Sequence, residues 1–460
     1  MTDTPRVLII GAGPTGLGAA HRLRELGVEE FVVLEATGSI GGLARSVRDD
    51  AGFTYDIGGH VLFSHYEYYD RVVDAALSDG FTEIDREAWV WTEHGFVPYP
   101  YQSSLCHLPN DTALECVMGL IEAQRSSGQS APANFAEWME RVFGSGITKH
   151  FMRPYNFKVW ATPAELMSYD WIAERVAVVD LEAVLRDLIS REDSLPTWGP
   201  NDRFRYPLRG GTGALCTSIA APLRDRIITE SPVASVDHEA RVVRTTDGRS
   251  WGYDLLLSTM PLTQLVGCTD QVPAAVRAAS DSLVACGSHV VGIGLDRPAG
   301  TTKNWVYVAE PDVPFHRVTY LSNYSPHMTP RDDQTLLLTE TSWSRHKVSD
   351  RGAIVDDVVD GLVRTGLMSD DDRRLVVARW CISPSLSYPI PTLERDAALA
   401  AIQPWLRERG IWSRGRFGAW LYEIGNIDHS FMQGVEWVDH VLYGRPEATW
   451  FEQAPARESA

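Results

Sequence analysis

The sequence predicts an α/β protein in which a strand–turn–helix–strand nucleotide unit is joined to a helical region and an antiparallel sheet. Three observations predict this. The opening "RVLIIGAGPTGLGAAHRLRELGVEEFVVLEA" runs from apolar strand through a glycine turn and an amphipathic helix to a second strand. Residues 110–195 carry apolar positions at helical spacing, clearest in "ALECVMGLIEAQR" and "LEAVLRDLIS". Then "PVASVDHEARVVRTTDGRSWGYDLLLST" reads as a β-meander turning at Asp247-Gly248, and alternating segments such as "HVVGIGL" and "NWVYVAE" continue the strand pattern to Leu338. The end, "RFGAWLYEIGNIDHSFMQGVEWVDHVLYG", reads strand, polar loop, helix, and residues 451–460 read as a frayed tail. At 460 residues the chain is too long for one ordinary core, so two or three domains are expected.

Composition narrows the function classes. The balance of 44% hydrophobic and 22% charged residues is that of a globular protein, and a net charge of −19 argues against nucleic acid and anionic membranes as partners. An anionic substrate would have to be met by local arginines against that field. No apolar run approaches the roughly 20 residues that span a bilayer, so no membrane insertion is expected. The start runs straight into a strand without a secretory pattern, and six cysteines lack C-x-x-C spacing, which together predict reduced thiols and a cytoplasmic location. No metal site is expected.

Gly11-Ala12-Gly13-Pro14-Thr15-Gly16 is G-x-G-x-x-G set between strand and helix. Gly11 permits the tight turn, Gly13 lets backbone approach a pyrophosphate, Gly16 allows close helix packing, and the helix N-terminus faces the anion. Glu35 ends the second strand where a carboxylate takes a ribose hydroxyl pair. After it comes "ATGSIGGLARS", from Ala36 to Ser46, with a second glycine pair followed by Arg45. A plain dehydrogenase has no need of that segment, whereas two-dinucleotide-type flavoproteins carry one beneath the FAD pyrophosphate. A second helix N-terminus offered by "YEIGNIDHSFMQG" points the same way, to FAD over NAD. "RGGTGAL" (Arg209 to Leu215) reads as a phosphate cradle, a bare helix entry, or a turn bringing backbone to the flavin ring, and we favour the last.

"GGHVLFSHYEYYD", "FMRPYNFKVWATP", "FRYPLRGGTG", "PFHRVTYLSNYSP" and "WSRGRFGAWLYEIGNIDHSF" occur in that order along nearly the whole chain. Together they resemble the eukaryotic-type UDP-galactopyranose mutases, FAD enzymes that interconvert pyranose and furanose rings of a nucleotide sugar. The resemblance implies a discontinuous Rossmann-like FAD-binding domain built from residues 1–80, 203–272 and 410–450. It further implies a mainly helical substrate and flap domain over 81–202 and an antiparallel-sheet substrate domain over 273–409. The chain departs from fungal members in two places. It is shorter between "SNYSPHMTP" and "TLLLTETSW", which leaves homo-oligomerisation open, and it has Tyr101 where they have phenylalanine, which leaves the base open.

What the resemblance implies for function is specific. Reduced flavin N5 attacks the anomeric carbon and the diphosphate leaves, with no net redox and NAD(P)H as the expected reductant. Gly58, Gly59 and His60 form the loop at the flavin ring, with His60 catalytic, while His65 reads as structural. Gly42, Leu43, Ala44, Arg45, Ser46, Val233, Gly425, Asp428, His429 and Ser430 complete the cofactor positions beside those of the fingerprint. Arg175 and Arg317 would hold the diphosphate, aided by the hydroxyls of Tyr388 and Tyr422. Arg416 and Asn426 would lie between flavin and sugar. Tyr99, Tyr101, Gln102, Phe151, Asn156, Trp160, Trp305 and Tyr307 would surround the base and ribose, and Asn201 would sit on a mobile flap. Other readings are the same reaction on a GDP-linked sugar, an FAD amine-oxidase-type oxidoreductase, or a flavin-binding scaffold without turnover.

Overall fold

The computed structural model describes residues 6–125, 130–172, 176–191 and 201–451. The nucleotide unit is a five-stranded sheet that gathers distant segments, in the order Ile411–Ser413, Leu255–Ser258, Val7–Ile10, Phe31–Leu34, Ile227–Ile228. Every pairing in it is parallel. Parallel strands are buried on both faces, which is why "VLII" and "FVVL" are continuously apolar. Val7 and Ile9 point to one face, against helices Pro14–Glu25 and Ile427–Tyr443. Leu8 and Ile10 point to the other, against the meander and helix Arg395–Arg407.

The meander is three strands, Val233–Asp237, Val242–Thr245 and Ser250–Gly252, with Gly248 at φ +86° in the expected turn. Its last apolar run, "LLLS", leaves the meander and joins the parallel sheet beside Val7–Ile10. The run is buried on both sides there, which an antiparallel surface ribbon could not provide.

The second large sheet has eight strands centred on Ala285–Leu295, which pairs antiparallel with Thr335–Trp343 and Val376–Ile382. Beyond Thr335–Trp343 come Arg317–Tyr320 and Trp305–Val308, then Ala88–Thr92 in parallel and Gly95–Pro98. The segment expected to be mainly helical therefore opens with strands, and Phe81–Asp85 pairs with Arg203–Pro207. Its helices follow at Asn110–Arg125, Phe135–Ile147, Arg153–Trp160 and Leu181–Ser190. The first two cross closely enough that a Cβ on Gly119 would lie 2.9 Å from the Ser145 backbone nitrogen. Among the described residues no helix is long and apolar enough to cross a membrane.

Candidate active site

Two cavities of about 410 and 300 Å³ meet at Leu43, His60, Arg416 and Ile427. The larger is a groove over the parallel sheet. Gly11, Gly13, Pro14, Thr15, Glu35, Ala36, Gly42, Leu43, Ala44, Val233, Gly425 and Ser430 all line it, as the sequence predicts. Gly11 has φ +99°, and a Cβ there would lie 2.1 Å from Thr259 Oγ1, so glycine is required. A Cβ on Gly13 would meet only Gly42 Cα, at 4.0 Å, which leaves a slot between the two glycine turns. Gly16 does not line the groove; its hydrogen faces the Gly11 carbonyl, which a Cβ would strike at 1.9 Å. Glu35 accepts from the Ala12 and Thr37 amides, both at 2.9 Å, and so pins the turn while its edge faces the groove.

Two helices begin beside this groove: Gly13 lines it, as do Ile427 and Ser430 in the first turn of the second helix, while Asn426 lines the smaller cavity. Gly13 caps Pro14–Glu25 and Asn426 caps Ile427–Tyr443, neither through a side-chain hydrogen bond. Two helix N-termini bordering one slot suit a pyrophosphate.

Some predicted cofactor positions serve the walls instead. Arg45 donates from Nη1 to the Gly42 carbonyl at 2.7 Å, and Ser46 donates to the buried Asp56 at 2.5 Å. Asp56 also accepts from the Tyr206 hydroxyl and from the amide and hydroxyl of Thr212. This fixes the "RGGTG" turn. A Cβ on Gly211 would lie 2.4 Å from Asp56 Oδ1, and one on Gly213 would lie 2.4 Å from the Ser46 nitrogen. The turn packs on Asp56 and Ser46, and no residue of it lines the groove, contrary to the reading that it brings backbone to the flavin.

The smaller cavity is lined by Gly58, Gly59, His60, Tyr99, Asn201, Tyr307, Arg317, Tyr388, Arg416, Tyr422, Asn426 and Asp428, all predicted from the sequence. Gly58 needs its glycine for φ +110°, and Gly59 for proximity, since a Cβ there would lie 2.5 Å from Thr319 Oγ1. The protein's own strand Arg317–Tyr320 thus presses on this loop from the side. His60 Nδ1 is buried and has no partner among the described residues. Burial, reinforced by Arg416 and Arg317 against the opposing charge of Glu340, pulls the imidazole down to about 4, so it is neutral near pH 7. Arg416 donates to the Gly425 and Ser387 carbonyls at 2.9 and 3.4 Å. Burial also keeps the Tyr99, Tyr307 and Tyr388 hydroxyls protonated by raising each above the usual phenol range.

The sequence reading missed Glu340 and Arg86. Glu340 is 4% exposed and stands opposite Arg317 on the adjacent strand. Its Oε1 accepts from Arg317 Nε at 2.7 Å and from the Gly59 amide at 3.0 Å. Burial alone would raise this carboxyl, but Arg317 and the Gly59 amide hold it at about 2. The signal was present: "TLLLTETSW" is a strand with one charge in its buried run. Arg86 donates to Asn201 Oδ1 at 2.7 Å and lies 5.6 Å from the Tyr99 ring.

Other predicted positions do not line either cavity. Tyr101 stacks on Phe151 with centroids 4.8 Å apart inside the helical core. Gln102 donates to the Ala177 carbonyl, Asn156 donates to the Met152 carbonyl at the cap of its helix and accepts from the Trp160 indole, and Trp305 is packed among Phe204 and Tyr324. His429 and His65 both bond Asp428, at 3.1 and 2.7 Å. Despite burial, the His429 and His65 hydrogen bonds keep this carboxyl well below the usual range. Arg175 lies outside the described residues.

A groove with glycine turns and helix N-termini, ended by an imidazole whose Nδ1 has no partner among the described residues, is the site of a dinucleotide-dependent enzyme. A model of the flavin-containing amine oxidoreductase family matches residues 14–418, and the chain belongs to that family. It is similar to reduced UDP-galactopyranose mutase, whose crystal structure it matches at 40% identity over 99% of this chain and 98% of that one, with a TM-score of 0.95. Within the flavin family the chain is therefore a UDP-galactopyranose mutase relative, an FAD-dependent mutase of the isomerase class. Cyclohexylamine oxidase from Brevibacterium oxydans shares only the fold, at 16% identity and a TM-score of 0.66, over 95% of this chain and 98% of that one. Polyamine oxidase 7 of Oryza sativa subsp. japonica matches at 46% identity over 59 residues, 13% of this chain and 12% of its own length.

Proposed function

We propose that the protein interconverts the pyranose and furanose forms of UDP-galactose, with NAD(P)H reducing the FAD. The observation that carries the reading is the second cavity: it joins the dinucleotide groove at His60 and Arg416 and is furnished with Arg317 and protonated tyrosines. In a chain of net charge −19 those arginines are where a nucleoside diphosphate would be held.

When bound and reduced, the flavin supplies the nucleophile for the anomeric carbon. The protein positions the sugar and takes up the charge that develops as the diphosphate departs with the C1–O electron pair. Arg317 uses Nε and Nη2 on Glu340, at 2.7 and 2.5 Å, and so offers its remaining edge to phosphate. Arg175 would supply the second positive charge. Tyr388 and Tyr422 would donate hydroxyl hydrogens, and His60, neutral and without a partner at Nδ1 among the described residues, would offer that nitrogen as a hydrogen-bonding atom between cofactor and sugar. Arg86, Asn201 and Tyr99 stand together at the same cavity and would close its nucleotide side.

The test is an assay of UDP- and GDP-linked galactose, each as pyranose and furanose, with dithionite-reduced and oxidised enzyme and products separated by chromatography. Interconversion of the UDP sugar by reduced enzyme only is expected. Equal turnover by the oxidised form, or peroxide production from amines without ring exchange, would sink the proposal.

A further inference from the structure

In this reading the Gly58–His60 loop serves the cofactor and Arg317 serves the leaving diphosphate, yet the two meet on one oxygen atom. Glu340 Oε1 accepts from the Gly59 amide and from Arg317 Nε, and its Oε2 is 3.4 Å from the Tyr388 hydroxyl. The strand register places Glu340 directly opposite Arg317, so the carboxylate is held by backbone pairing and not by a flexible loop. At 4% exposure, water has little access to replace either contact. The loop cannot slide away either, because Gly59 already rests on Thr319 and Arg317, with its Cβ direction 2.5 Å from Thr319 Oγ1 and 3.2 Å from Arg317 Cζ.

We propose that Glu340 is a positioning residue that couples the two halves of the site: a nucleoside diphosphate drawing Arg317 toward its phosphates changes how the shared oxygen holds Gly59, and a change in the flavin changes how firmly Arg317 is held. The inference rests on the diphosphate role given to Arg317 above. Nothing in the coupling requires a large movement. A buried acceptor with two charge-assisted or amide donors redistributes its bonding when one donor is engaged elsewhere, because at 4% exposure solvent has little access to compensate. Coupling between sites is reciprocal. The factor by which reduction changes UDP affinity must equal the factor by which UDP shifts the flavin's reduction equilibrium, with a tenfold factor equal to about 30 mV for a two-electron couple.

UDP dissociation constants are to be measured for the FAD-loaded protein, oxidised and dithionite-reduced, and the flavin midpoint potential with and without UDP. The wild type should bind UDP about fivefold or more differently in the two states. Glu340→Gln keeps the size and an acceptor for Gly59 but loses the charge that holds Arg317, so its ratio should fall below about twofold and the UDP-induced shift in potential should vanish. Arg317→Lys, which keeps charge but loses the fork, provides the same reading should Glu340→Gln fold poorly. The proposal is overturned by a wild type with equal affinities in both states, or by variants that hold FAD and keep the wild-type ratio. A redox-dependent ratio without ring interconversion would remove the mutase reading and leave the coupling standing. Normal turnover without the ratio would do the reverse, and absence of UDP binding in both states would remove both.

Discussion

Arg317 carries two tasks, and removing it exposes both. Arg317→Ala deletes a charge-assisted contact to the diphosphate, worth roughly 1.5–3 kcal/mol, so kcat/KM should fall ten- to a hundredfold or more. It also leaves Glu340 as a buried carboxylate without its main partner, at a cost on the order of 1–3 kcal/mol. Thermal unfolding should therefore show Arg317→Ala less stable than the double variant Arg317→Ala/Glu340→Gln, while both lack activity. Near-normal kinetics in Arg317→Ala would take Arg317 out of the site. His60→Ala should keep UDP affinity but slow the fully reduced enzyme by about a hundredfold, since its place is at the junction of the cavities and away from the base. An unchanged kcat would leave His60 a packing residue. Glycines 11, 13, 58 and 59 were legible in the sequence because a tight turn writes its requirement into adjacent positions. Glu340 was not, because its importance comes from Gly59 and Arg317, which only the fold brings to it.

Helix Pro14–Glu25, which begins at the fingerprint, is clamped by helix Ile427–Tyr443 through glycines on both sides. A Cβ on Gly434 would lie 2.0 Å from the Thr15 carbonyl, and one on Gly18 would lie 2.2 Å from the Phe431 carbonyl. Both obstacles are backbone, so neither can rotate away. Gly434→Ala should cost about 1–3 kcal/mol of stability and, by displacing Thr15, loosen FAD retention as read by flavin fluorescence released on heating. Gly267→Ala is the control: it lies in helix Leu262–Cys268 with nothing within 4 Å, so the change should be neutral or stabilising by up to about 1 kcal/mol. Equal effects from the two changes would refute the packing argument. The helices themselves were readable from apolar spacing, but their crossing was not. Gly18 and Gly434 come from opposite ends of the chain, and neither carries a local sign of the other. The meander failed at one strand for a related reason, since a short apolar run looks alike in an antiparallel ribbon and a parallel sheet.

Across the whole molecule, buried groups set the response to acid. His316 is 2% exposed, and burial, with Arg317 adding to it against Glu340, holds it at about 3 against 6.5 when unfolded. Between those values the unfolded chain binds a proton that the folded chain refuses, so stability is full above about pH 6.5 and falls as pH drops toward 3. His60 acts in the same direction between 6.5 and about 4, and Glu340 between 4.5 and about 2. Relief of the −19 net charge on acidification works the other way. Unfolding midpoints should nevertheless decline from pH 6.5 to 4, and His316→Gln should flatten that decline by up to about 1.4 kcal/mol per pH unit. An identical slope in the variant would show that His316 is not the group being protonated. At this scale the run of helices from residue 110 and the strands that follow it could be foreseen from the sequence, whereas the strands between 81 and 98 could not. The joining of Ala88–Thr92 to Trp305–Val308 could not, because strand pairing between remote segments leaves no periodic trace.

The parallel sheet reaches from strand Val7–Ile10 to strand Ile411–Ser413, and the groove over it is finished by residues 415–430. On the ribosome this means that the first segment made must wait for nearly the last. The glycine turn emerges early, but the wall that encloses it and the helix that clamps it do not exist until translation has passed Gly434. A nascent chain arrested at residue 410 should therefore capture no FAD, however long it is given, whereas release of the same chain through Tyr443 should permit it.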